Sequence, residues 1–232
     1  MKKLGILLLT FAITVASFAG CERSESNQNA NENTQTQDIQ TVKSENAQKE
    51  QMLQLFPQKA GTEWVYNGTA EYGHEMRIDS INQLEGNKIQ YLVSGKVFDM
   101  SDGESKKDFS VYIEYEFSGT GIREIIKKGE TMPHKIKELY IIKAPLEKGN
   151  TWTESVILDG TAVTLEGKII DVYNDQETGA KTYKVEYTAP FEGMPDNVYR
   201  ETRVYQEGKG LISFENTYAK GDIFNYRLYI IN

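Results

Sequence analysis

Apolar and polar residues alternate along most of this chain from residue 60 onward. Phe109, Val111, Ile113, Tyr115 and Phe117 take one side of a period-two pattern, and Ser110, Tyr112, Glu114 and Glu116 take the other. That is the signature of a strand with one buried face. Ile89-Tyr91-Val93, Tyr183-Val185-Tyr187 and Phe224-Tyr226-Leu228-Ile230 repeat it, with turn signals at Glu85-Gly86-Asn87, Ser118-Gly119-Thr120-Gly121 and Glu207-Gly208-Lys209-Gly210. The pattern predicts strands near 62–72, 74–85, 87–98, 108–118, 121–127 and 138–143. A second set falls near 150–157, 161–173, 181–188, 198–206, 210–217 and 224–231. One-sided alternation suits antiparallel pairing. The fold class is therefore all-β and antiparallel, with about twelve strands curled into a barrel, a half-barrel or stacked sheets.

The two sets are related. Pro57, Gly61 and Trp64 recur as Pro145, Gly149 and Trp152, shifted by 88. Gly119-Thr120-Gly121-Ile122 matches Gly208-Lys209-Gly210-Leu211, and Leu139-Tyr140-Ile141-Ile142 matches Leu228-Tyr229-Ile230-Ile231, both shifted by 89. These matches predict two tandem six-strand repeats, residues 51–143 and 144–232, forming one compact domain. Two copies are too few for a solenoid and suit a pair packed about a pseudo-twofold axis. Both tryptophans are expected to anchor a first strand in the core. In the fourth strand of the second unit, Arg200, Thr202, Val204 and Gln206 replace the apolar row, which predicts a less buried face there.

Upstream the pattern fades. Residues 21–50 are dominated by Ser, Asn, Gln, Glu and Thr and predict a disordered tether, because they offer too little apolar surface to offset ordering entropy. Met52, Leu55 and Phe56 fall at helical spacing and suggest a short helix between 44 and 56 on the domain edge.

The first 20 residues read as a secretory signal: Lys2 and Lys3, an apolar run from Leu4 to Val15, then small residues. The run is shorter than the ~20 residues a spanning helix needs. Phe18-Ala19-Gly20-Cys21 resembles a bacterial lipobox, with Phe18 where an aliphatic residue is usual. The resemblance implies cleavage before Cys21, a diacylglycerol on its thiol and a lipid anchor on the extracytoplasmic face of a membrane. An ordinary cut after Ala19 is the alternative. It would leave the only cysteine as a free thiol in an oxidising space.

Charge narrows the partners. Without residues 1–20 the chain has 24 basic and 34 acidic residues, a formal charge of −10. Such a surface argues against nucleic acid and against electrostatic adhesion to anionic lipid. Catalytic signatures are missing: no nucleophile elbow, no phosphate loop and no C-x-x-C occur, and His74-Glu75 lacks a second histidine at position 78. Asp99, Asp102 and Glu104 do not have EF-hand spacing. No catalytic residue, metal or cofactor is assigned.

The expected function is binding by a non-catalytic β-domain of a protein, cell-wall or small-molecule ligand. A half-open barrel carrying an apolar ligand and a cell-wall hydrolase with paired carboxylates are the alternatives. If strands pair in chain order, the longer connections share one rim, the usual place for binding residues. That rim would collect His74, Met100, Met132, Pro133, His134, Phe191, Met194 and Pro195.

Overall fold

The computed structural model describes residues 43–101, 103–218 and 220–232. The leader, Cys21 and the tether up to residue 42 lie outside the described residues. The first six strands are β1 (Glu63–Gly68), β2 (Gly73–Gln83), β3 (Ile89–Val97), β4 (Ser110–Phe117), β5 (Gly121–Lys128) and β6 (Glu138–Lys143). The next six are β7 (Thr151–Leu158), β8 (Thr161–Asn174), β9 (Lys181–Pro190), β10 (Val198–Gln206), β11 (Gly210–Thr217) and β12 (Ile223–Ile231). The alternation thus locates every strand to within a few residues.

All twelve belong to one antiparallel sheet, in the order β6-β5-β4-β3-β2-β1-β12-β11-β10-β9-β8-β7. Each half of the chain is a six-strand meander, and β1 joins β12 through a ladder running from Trp64–Ile231 to Gly68–Tyr226. The sheet curls into a nearly closed barrel whose two ends, β6 and β7, face one another. Ile136, just before β6, makes an isolated antiparallel bridge to Leu158 of β7. Inward rows such as Val111, Ile113, Tyr115 and Phe117, or Tyr183, Val185 and Tyr187, fill the interior.

One helix, α1 (43–54), precedes the barrel. It takes in 43–50, which composition alone assigns to the tether. Lys49 is buried, and its ammonium donates to Asn87 Oδ1. The buried residues Met52, Leu53, Leu55 and Phe56 supply the apolar surface that offsets the ordering of this segment. The chain leaving α1 closes the tight-turn end of the barrel. Gly208 and Gly210 donate their N–H groups to the Gln54 and Leu55 carbonyls at 2.8 and 2.7 Å. Phe56 packs on Tyr115, Phe117, Tyr91 and Tyr205, with ring centroids 5.0–6.5 Å apart, so it touches both meanders. Gly210 has φ +75° and lies so close that a Cβ there would sit 3.2 Å from the Phe56 ring. Glycine meets both demands at once.

The fourth strand of the second half differs from its sequence-based expectation. Its buried row is Tyr199, Glu201, Arg203 and Tyr205, whereas Arg200, Thr202 and Val204 of the other row are not buried and Gln206 alone of that row is. The shift of 89 is one residue too long here, and a one-residue slip turns every side chain to the opposite face. Buried charge therefore stands where exposed charge was expected.

Candidate functional site

Arg203 projects from β10 into the barrel and is 0% exposed. Its Nη1 donates to Glu124 Oε1 on β5 at 2.8 Å, and its Nε donates to Glu201 Oε1 at 2.5 Å. The Tyr199 hydroxyl donates to the other Glu201 oxygen at 2.5 Å and accepts from Asn216 Nδ2 at 3.2 Å. The guanidinium also lies over the Tyr187 and Phe214 rings, 5.5 and 5.6 Å from their centroids. Burial alone would push Glu124 toward its neutral form. The Arg203 charge and the His134 ring outweigh that and hold the carboxyl well below the usual carboxylate range. Burial likewise works against the Arg203 charge, and Glu124 and Glu201 outweigh it. Arg203 and Glu124 are therefore both charged, while Arg203 Nη2 and Asn216 Oδ1 find no hydrogen-bond partner among the described residues.

Both histidines sit just beyond it, around Tyr226. His134 Nε2 and the Tyr226 hydroxyl share a hydrogen bond at 2.6 Å. The His134 ring stacks on Phe214 at 4.5 Å, and its Nδ1 is 3.7 Å from Glu124 Oε1, longer than a hydrogen bond. His74 stacks on Tyr66 at 4.5 Å and meets Tyr226 edge-on at 4.9 Å. Burial, with the nearby His134 adding to it, lowers the His74 pKa to about 3, so this ring is neutral. Among the described residues no group of three or more His, Cys, Asp or Glu is arranged to hold a metal ion.

The meander order sends the connections after β1, β3, β5, β7, β9 and β11 to one end, opposite α1. The positions read from the sequence as a rim therefore share that end. Their side chains divide. His74, Met132, His134 and Met194 are buried and cork the barrel from above, Phe191 is half-buried, and Met100 is exposed. The loop 129–137 supplies most of this cork through Met132, His134 and Ile136, all inward.

Two hollows open near the same end. One, of about 790 Å³, lies over the β6/β7 seam between Arg123, Lys137, Val156 and Ile157. The other, of about 850 Å³, lies under the loop 98–109, beside Phe98, Met100 and Phe109. The interior void among Phe56, Trp64, Tyr66, Met76 and Leu211 measures about 20 Å³.

Sequence reasoning missed the Arg203 cluster. The signal was available, because Tyr199, Glu201, Arg203 and Tyr205 alternate as strictly as any apolar row. The exact repeat register hid which face they occupy.

No protein-family model matches this chain, and no curated protein matches it. Two solved structures are similar in outline. One is a protein of Bacteroides fragilis with a YmcC-like fold, described as exported. It is 14% identical, with 76% of this chain and 98% of that chain covered at a TM-score of 0.49. The other is a protein of Parabacteroides distasonis described as a lipoprotein. It is 13% identical, with 77% and 98% covered at a TM-score of 0.45.

Proposed function

We propose that this chain is an extracytoplasmic lipoprotein, held to a membrane through Cys21, whose β-barrel acts by binding at its long-loop end. The leader supports the anchor, and the observation that carries the binding reading is the filled barrel. A void of about 20 Å³ holds no acyl chain, whereas ligand pockets typically run to ~300 Å³ or more. The two carboxylates that share one guanidinium, Glu124 and Glu201, are each 1% exposed and bound to Arg203. They are poorly placed to protonate a substrate. The two hollows at the long-loop end flank loops held by a rigid sheet.

Two measurements test this. With labelled fatty acid, the wild-type chain should fractionate with membranes and carry label, and Cys21→Ala should carry none. Labelling of the variant equal to wild type would end the lipoprotein reading. With isolated envelope material added to the mature chain, amide exchange should slow in 98–109, 130–137 and 191–197. The tight turns 84–88 and 175–180 should not change. Slowing confined to the tight turns, or none anywhere, would end the binding reading.

A further inference from the structure

The barrel has one junction without a ladder. β12 and β1 pair residue by residue, whereas β6 and β7, at the corresponding places of the other half, do not pair. Along that seam side chains stand where a neighbouring strand would be. The Tyr140 N–H donates to the Glu154 carboxylate at 2.8 Å, and Asn150 Nδ2 donates to the Lys143 carbonyl at 2.9 Å. Unladdered edges are normally blunted by lysine, proline or a bulge. β7, reading TWTESVIL, has no lysine and no proline, and its one charged residue is Glu154. Ile157 on this strand is 58% exposed, in the hollow floored by Met132 and Val156. Lys137 lines the same hollow. Its ammonium donates to the Gly129 carbonyl at 2.9 Å and forms no ion pair among the described residues.

We propose that the seam is a strand-addition site. An extended segment of a partner protein pairs with the free edge of β7, antiparallel as β12 pairs with β1, and displaces the Glu154–Tyr140 contact. Only a polypeptide backbone offers donors and acceptors at the spacing a strand edge presents. Alternate apolar side chains of the segment would rest on Val156 and Met132, and an acidic one would meet Lys137. This rests on the binding reading above and narrows it to one edge and one class of partner.

The probe is a synthetic peptide with the sequence of residues 223–232, the strand that natively ladders with β1, carrying Arg227→Glu to supply the acidic side chain that Lys137 would meet. It is added to the mature chain carrying Cys21→Ser, and amide exchange is followed by mass spectrometry. Exchange across 151–158 should slow about tenfold or more, as newly laddered amides do. A scrambled peptide should have no effect. Ser155→Pro, which removes a backbone N–H from β7, and Ile157→Lys, which places a charge on it, should each abolish the slowing. No slowing, equal slowing by the scrambled peptide, or slowing confined to β1 would overturn the proposal. If envelope material still protects 98–109 and 191–197 while the peptide leaves β7 unprotected, strand addition is wrong and the binding reading stands. If neither is protected, both fail.

Discussion

Arg203 Nη1 meets Glu124 Oε1 at 2.8 Å inside the barrel, joining β10 of the second meander to β5 of the first. The contact spans 79 residues of sequence. With Glu201 held on the same guanidinium, a buried cation faces two buried carboxylates at the interface of the halves. Such clusters are costly to desolvate and tolerable only when every charge is partnered. Their value here lies in orientation, because an apolar core could be packed by many rotations of one meander against the other.

Arg203→Met should therefore destabilise the protein by about 3–5 kcal/mol, since it leaves two carboxylates buried without their cation. Replacing Arg203, Glu124 and Glu201 together with apolar residues should cost less than Arg203→Met alone. Urea unfolding of the single and triple variants measures both. A triple variant at least as unstable as the single one would show that the cluster contributes net stability.

His74 gives the barrel a pH dependence of known sign. Its folded pKa is about 3, against about 6.5 in an unfolded chain. Below pH 6.5 the unfolded state takes up a proton that the folded state refuses. The contribution of His74 is therefore complete above pH 6.5 and is lost as pH falls toward 3, with a limiting slope of about 1.4 kcal/mol per pH unit. His74→Phe keeps an aromatic ring between Tyr66 and Tyr226 and removes the titration. Unfolding free energies of the two proteins should run parallel above pH 7 and diverge between 6.5 and 5. Parallel curves throughout would show that His74 is not a buried neutral ring.

Much of this architecture is legible in the sequence, and what is not has identifiable causes. Strands are readable wherever one face is wet and the other dry, as in Phe109–Phe117. For β10 the same period places the strand but not its inward face, because Glu201 and Arg203 read as the polar side and the shift of 89 put Arg200, Thr202, Val204 and Gln206 on the inner row. The helical spacing of Met52, Leu55 and Phe56 indicates an amphipathic turn, but that it caps a barrel mouth depends on closure of the sheet. The seam is the sharpest case. Leu-Tyr-Ile-Ile occurs in both β6 and β12, yet β12 ladders with β1 while β6 does not ladder with β7. Identical local sequence takes different partners because closure of the whole barrel sets the distance between its ends.

Phe56 should behave as a cork. Phe56→Ala removes a ring in contact with four aromatic residues drawn from both meanders, and truncation of a fully packed phenylalanine costs about 3–5 kcal/mol. The loss should be local in the first instance. Amides of Gly208 and Gly210, bonded to the Gln54 and Leu55 carbonyls, should exchange faster than those of β4. Uniform acceleration across the barrel would mean that α1 is integral to the sheet and does not close it as a separate piece.

The two tryptophans lie on the first strand of each meander, β1 and β7, and are held by different means that can be separated. Trp64 Nε1 donates to the Lys209 carbonyl at 2.7 Å, so it reaches the other meander through a hydrogen bond. Trp152 lies flat against Gly167, its cross-strand partner, where an added Cβ would fall 2.3 Å from the indole. The Gly167 backbone is not at positive φ, so alanine there is excluded by the ring alone. Gly167→Ala should thus cost about 1–3 kcal/mol as an overpacking substitution. In a Trp152→Ala background the clash has no second party, and the same change should be close to neutral. The coupling between the two sites should therefore approach the whole cost of Gly167→Ala. For Trp64, conversion to Phe keeps most of the packing but strands the Lys209 carbonyl, an expected loss of about 1–3 kcal/mol. Four chemical denaturation curves complete the cycle. Additive effects of Gly167→Ala and Trp152→Ala would show that the indole does not rest on that glycine, and that β7 is anchored some other way.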